Sequence, residues 1–391
     1  MKKLLIVNNN MKVGGVQKSL YNLLWALDAH GGYDVTLLLF SKTGAYLEAL
    51  PKGIHVVECG GPFRYLGQSQ GEYKHSRKDY LLRGGLAAIA RLFGRQSAIR
   101  LMRLVQPKLK QHYDCAIAFL HNGRCKSFYG GVQDYVLHCV EAHRKVVFLH
   151  GDYGRCGANH PANNRMMAQF DAIAACSDGC RQTFVTAVPD LADRCVTVRN
   201  CHRYAEIADL AADQPLSYDA DAVHAVLVAR LTQEKGVDRA ITAIAHAKER
   251  GVAVHLHIVG DGPLREGLQQ LATRLNVDDA VHFYGEQINP YRYIHSADLL
   301  LVSSHHEAAP MVIDEAMSLG VPVLTTATTS AVEMVTDRQG GWICANTQTA
   351  LTDMLTQVAS NPADIAAARA ALSRPWDNGA ALAQLERILT I

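Results

Sequence analysis

The stretch Leu299-Leu300-Leu301-Val302-Ser303-Ser304-His305-His306-Glu307-Ala308-Ala309-Pro310-Met311-Val312-Ile313-Asp314-Glu315-Ala316-Met317-Ser318-Leu319-Gly320-Val321-Pro322-Val323-Leu324-Thr325 reads as strand, polar loop, helix, glycine stop and strand. Leu299 to Val302 are apolar at consecutive positions, the pattern of a parallel strand buried on both faces. Ala308, Ala309 and Pro310 suit a loop feeding a first helical turn, and Gly320 stands where a C-cap would end it. Glu307 then lies in the loop at the strand's carboxyl end, and Glu315 about a turn inside the helix. Carboxylates spaced this way can reach different hydroxyls of one extended ligand, while N–H groups at the helix start face its phosphates. The stretch predicts a site shaped for a nucleotide sugar.

The Glu-x7-Glu spacing of Glu307 and Glu315, with its flanking strand and Gly-Val-Pro-Val exit, resembles the signature of retaining glycosyltransferases of family 4. The resemblance implies an α/β GT-B fold: two Rossmann-like, doubly wound parallel-sheet domains facing a cleft. It further implies a nucleotide-diphosphate sugar held mainly by the second domain and an acceptor held by the first. Transfer would keep the anomeric configuration, with the departing phosphate as base. Glu307 would contact donor sugar hydroxyls and Glu315 the ribose. Backbone around Ala309, Pro310, Met311 and Val312 would hold the diphosphate or sugar, although Pro310 has no N–H to give. The family commonly has glycine after the first carboxylate where this chain has Ala308; if that position needs positive φ, Ala308 costs about 1 kcal/mol.

At 391 residues and 49% hydrophobic, the chain has material for two or three domains with full cores. A net charge of +2 gives nucleic-acid binding no compositional support. Ten cysteines are scattered without metal-ligand spacing, which reads as reduced thiols in a cytoplasmic protein. The start, Met1 to Asn10, is too short in apolar residues for a signal peptide and reads as a first strand. No run approaches the ~20 apolar residues that span a bilayer, so membrane contact would be peripheral.

In the first half, Leu4 to Val7 form a strand, and Gly14 and Gly15 separate it from a helix, where backbone could approach a phosphate without a Cβ. The pair is not Gly-x-Gly-x-x-Gly, which argues against a dehydrogenase; it resembles the Gly-Gly loop of the same family. Strands follow at 35–40, 54–58, 115–119, 146–149, 172–176 and 196–198. Ligands bind beyond the carboxyl ends of such strands, which selects Asn8 to Asn10, His121-Asn122, His150 to Asp152 and Ser177-Asp178. His150, preferred to His121 and supported by the family resemblance, is expected to reach the cleft with a pKa near neutral as a catalytic or contact group. From Arg77 to Lys110 basic residues face a single acid, Asp79. Leu86, Ile89, Phe93, Leu101 and Leu104 are expected on one side and Arg91, Arg95 and Arg103 on the other, fitting either an anionic leaflet or the domain's own core.

In the second half, the polar run Ala211 to Asp221 reads as the connector. Its Asp219-Ala220-Asp221 precedes a strand, so no metal and no other cofactor is expected. After the strand 224–229, Arg230 and Lys235, followed by Gly236, resemble the family's diphosphate clamp; fixed cations stabilise a pyrophosphate leaving group without a metal. Strands at 254–259 and 281–286 follow, and Glu286 ends the one expected beside the base. The last strands are placed at 299–303, 321–325 and 341–344. The expected domains are 1–205 joined by a C-terminal helix within 376–391, and 206–375. The function read here is sugar transfer from a nucleotide sugar, UDP by family frequency, to a glycan or lipid-linked saccharide in cell-surface polysaccharide synthesis. Membrane contact, if any, runs through 77–110. The rival readings are an epimerase or hydrolase on the same fold, and a silent sugar-nucleotide scaffold.

Overall fold

Apolar runs without alternation make strands buried on both faces, and the computed structural model, which describes residues 1–124 and 126–390, contains two such sheets. The first has the order β3-β2-β1-β4-β5-β6-β7. Its strands are β1 Lys2–Asn8, β2 Tyr33–Leu39, β3 His55–Glu58, β4 His112–Ala118, β5 Glu141–Leu149, β6 Ala172–Ala175 and β7 Cys195–Thr197. The second has the order β10-β9-β8-β11-β12-β13. It is built from β8 Val223–Val228, β9 Val254–Val259, β10 Val281–Gly285, β11 Leu299–Val302, β12 Val323–Thr326 and β13 Gly341–Cys344. All pairings are parallel. β1 shows why: Leu4, Leu5, Ile6 and Val7 are each at most 1% exposed, so both faces are covered. The fold expectation of two doubly wound parallel sheets holds.

The chain divides into two units, Met1–Cys201 with Asn378–Ile391, and His202–Asp377. The sequence reading places these divisions at 205/206 and 375/376. In the first unit the terminal helix Gly379–Thr390 seats Ala381, Leu385, Ile388 and Leu389 in the core built on β1, β2 and β4. In the second unit, separate apolar clusters cover the two faces of the sheet.

Two expectations are corrected. The polar run 211–221 does not link the domains: the chain changes unit at Cys201/His202, and the helix Tyr204–Ala212 already belongs to the second unit. Polarity and proline mark a surface loop inside a domain as readily as a link between domains. The basic segment is two helices, Arg77–Phe93 and Arg95–Val105, broken at Gly94 with φ 82°. Arg95 is buried and donates to Asn163 Oδ1 at 3.4 Å, whereas Phe93, Leu101 and Leu104 are exposed. The side expected to face the core faces outward in part. The nine cysteines among the described residues are free thiols.

Candidate active site

β8 and β11 are neighbours, so the loops at their carboxyl ends meet. After β8, Arg230 leads into the turn Gln233–Lys235, then Gly236, then the helix Val237–Glu249. Gly236 sits in the left-handed region at φ 59°, and a Cβ there would stand 2.4 Å from the Ser303 carbonyl oxygen. Only glycine lets the two loops approach this closely. The consequence is an ion pair across them: Lys235 Nζ lies 2.6 Å from Glu307 Oε1. Ser304 Oγ donates to the same oxygen at 2.8 Å. The loop carrying Glu307 is itself pinned. The buried Arg239 guanidinium donates to Ser303 O at 3.2 Å and to Asn346 Oδ1 at 2.7 Å; Asn346 Nδ2 donates to His305 O at 2.9 Å. Thr326 Oγ1 holds Ser304 O at 2.6 Å.

Arg230 is exposed and makes no ion pair among the described residues, which leaves its fork of donors available to an anion. Ala309, Pro310, Met311 and Val312 lead from the Glu307 loop into the helix Met311–Ser318, where the Met311 and Val312 N–H groups precede the first turn's hydrogen bond, that of Ile313 N–H to Pro310 O at 3.1 Å. Ala308 is not among the residues with positive φ, so alanine carries no strain there. Glu315 is buried at 3% exposure inside that helix. Its neighbour Asp314 is held by His202 Nε2 at 3.2 Å and by an ion pair with Arg338. Burial works to raise the Asp314 pKa, but the bond to His202 and the nearby charges outweigh it and hold it below the usual range. Arg338 and Arg374 in turn lie over Trp376, at 5.7 and 4.9 Å from its centroid. Glu286 is exposed at the end of β10, two strands from β8, and no described contact joins it to the Lys235–Glu307 pair.

Sequence reasoning missed Ser304, Arg239, Asn346 and the Asp314 network. Ser304 carried a signal, a hydroxyl three residues before Glu307. The others are brought in from remote positions. Of the two aspartates set aside as metal ligands, Asp219 is engaged with His224, accepting from Nε2 on its carbonyl at 3.0 Å.

In the first unit, β1 ends in Asn8, Asn9 and Asn10, all buried. Asn9 and Asn10 clamp Leu66 O and Gly67 O at 2.9 and 2.7 Å. Neither Gly14 nor Gly15 is required by the backbone: Gly14 is extended at φ 171°, and a Cβ on Gly15 would meet nothing within 4 Å. His150 lies against Phe119 and Phe148, with ring centroids 4.6 and 5.8 Å away. The expectation of a near-neutral pKa is corrected: burial, then the charge of His121, push it down to about 3. His121, its neighbour, is pushed to about 4 by burial. Both are neutral imidazoles at physiological pH, able to hydrogen-bond but not to present a cation.

Residues 213–374 match the family described as "Glycosyl transferases group 1". A putative colanic acid biosynthesis glycosyltransferase, WcaL of Escherichia coli, is 31% identical over 140 residues, 33% of this chain and 34% of its own. The amylovoran biosynthesis glycosyltransferase AmsK of Erwinia amylovora is 30% identical over 188 residues, 43% of this chain and 46% of its own. The chain thus spans less than half the length of these curated relatives. The crystal structure of Anabaena HepE in complex with UDP and glucose superimposes with a TM-score of 0.67 at 19% identity, each chain covered 100%. The two sheets are those of a GT-B fold. Residues 213–374 are thus similar to the group 1 glycosyltransferases, in the direction the sequence resemblance implies.

Proposed function

We propose that the protein is a retaining glycosyltransferase that moves a sugar from a nucleotide-diphosphate donor, UDP-linked, to a glycan or lipid-linked saccharide in surface polysaccharide synthesis. The observation that carries this is the Lys235–Glu307 pair, set where two loops meet beyond β8 and β11. A carboxylate for sugar hydroxyls and a cation for the leaving diphosphate stand side by side, with Arg230 on the same loop. Each holds the other until a ligand with both chemistries divides them. Gly14 and Gly15 fit the reading too, because the backbone does not demand them: a Cβ on Gly14 would meet only the movable end of Gln17, and one on Gly15 nothing. His150, neutral, would accept or donate a hydrogen bond to the bound sugars, and Glu286 would border the base. The similarity to glycosyltransferases of colanic acid and amylovoran biosynthesis supports the acceptor class. The reaction would run in the cytoplasm, at the inner face of the membrane where the acceptor is lipid-linked.

The chemistry proposed needs no metal, since Arg230 and Lys235 supply the positive charge at the leaving group. The test incubates the protein with labelled nucleotide sugars, with and without a membrane extract and with and without a chelator. Label should move only when acceptor is present, and chelation should leave the rate intact. Epimerised or hydrolysed donor without acceptor, or binding without turnover, overturns the transferase reading; loss under chelation overturns the cation-only chemistry.

A further inference from the structure

We propose that the outward face of the helices Arg77–Phe93 and Arg95–Val105 is a docking surface for an anionic lipid layer. A soluble surface scatters its large apolar residues singly, and gathered ones mark an interaction. Here Leu81, Leu92, Phe93, Leu104 and Val105 are 62%, 71%, 72%, 81% and 72% exposed. In the first helix the exposure follows one stripe: Arg77, Leu81, Ala88 and Leu92 recur at helical spacing, and the opposite side holds the buried Arg83 and Ala90. The second helix repeats the device at its end, with Arg100 and Leu104 one turn apart and Leu101 and Val105 beside them.

Charge decides the occupant. From Lys74 to Lys110 every exposed charged side chain is basic. The one acid, Asp79, is turned to Arg64 at 2.6 Å and Tyr65 at 2.6 Å. A second copy of this face would oppose cation to cation. A nucleic acid would use the cations but leave the leucines in water. An anionic bilayer satisfies both, taking leucine and phenylalanine below the headgroups and guanidinium groups at the phosphates. Arg95, which donates to Asn163 inside the domain, is no part of the surface.

The inference does not depend on sugar transfer, and its test reads partition rather than turnover. The whole protein is floated with vesicles of phosphatidylcholine alone and with vesicles containing phosphatidylglycerol, at low and high salt. Two variants are compared, Leu92→Ser/Phe93→Ser/Leu104→Ser and Arg91→Glu/Arg100→Glu/Arg103→Glu; all six positions are exposed, so both should fold. Binding is expected on anionic vesicles only, reduced at least tenfold by high salt and by either variant, because exposed charges are screened beyond about 10 Å at 0.1 M salt. A Leu92→Trp protein should show blue-shifted emission on those vesicles. Wild type that stays in solution with anionic vesicles at low salt, or equal binding by the serine variant, overturns the proposal. So does a dimer in sedimentation that the serine variant abolishes, which would assign the face to self-association.

Discussion

Lys235 and Glu307 are 28% and 11% exposed at their side chains, so the pair is only partly screened by water. Replacing Lys235 by Ala would leave the carboxylate with Ser304 alone and remove one preorganised cation from the leaving group. The loss expected is about 2 to 4 kcal/mol in the transition state, roughly thirty- to thousandfold in kcat, with melting temperature little changed. Arg230→Ala should act in the same sense. A variant of either with near-normal kcat contradicts the clamp. Gly236→Ala tests the geometry behind it: the left-handed φ costs at least about 1 kcal/mol, and the new Cβ drives the loop from the Ser303 carbonyl. Turnover should therefore fall although no ligand-facing side chain has changed, and an unchanged kcat would show that the loops need not meet. Both ends of this pair were legible in the sequence, since each follows a buried strand at a spacing that means something locally. What holds the Glu307 loop was not, because Arg239 and Asn346 are over a hundred positions apart and meet only in the fold.

Strands were the most legible elements, because most of the thirteen carry a short apolar run between polar loops, a pattern that parallel sheets impose. Helix faces were less so. The periodicity of 77–105 shows an apolar stripe but not whether protein or another medium covers it, and so Arg95 and Leu104 were each put on the wrong side. A third feature went unread although it alternates visibly: His224, His255 and His282 each stand second in β8, β9 and β10, and His257 two further along β9. His224 Nε2 meets the Asp219 carbonyl, an acceptor only, so it is the donor. His224 Nδ1 lies 3.0 Å from His257 Nε2, and His257 Nδ1 lies 2.9 Å from Tyr284 OH, each within hydrogen-bond reach. Burial, then the charges of the other histidines, push the His257 pKa to about 3. With the folded value below the unfolded one of about 6.5, the stabilisation is complete above that pH and is lost as pH falls from there toward 3, on the order of 1 kcal/mol per pH unit. His121 and His150 act in the same direction in the first unit. Urea midpoints measured from pH 7 to 4 should fall steeply. In His257→Phe the pH 7 midpoint should drop and the slope become shallower, and an unaltered slope would remove the histidine ladder from the account.

At the scale of the whole chain, the domain division escaped composition because nothing in Asn200-Cys201-His202 breaks the pattern on either side. The structure makes 202–377 an insertion into a unit that is completed only by the helix Gly379–Thr390. That difference predicts unequal independence. The second unit owns both of its apolar clusters, its six-stranded sheet and the Lys235–Glu307 pair, so the fragment 202–377 should fold alone, melt cooperatively and bind UDP, with the affinity lowered by Lys235→Ala. The fragment 1–201 lacks Ala381, Leu385, Ile388 and Leu389 from its core. Each large apolar side chain among them is worth about 1.5 to 3 kcal/mol when fully buried, and the sum rivals the roughly 5 to 15 kcal/mol that keeps a domain folded. This fragment should be molten or aggregate, and a single chain that joins 379–390 to residue 201 through a flexible linker should restore a cooperative transition. If 1–201 melts cooperatively unaided, the terminal helix only decorates the first unit. If 202–377 fails to fold, its two clusters are not a sufficient core.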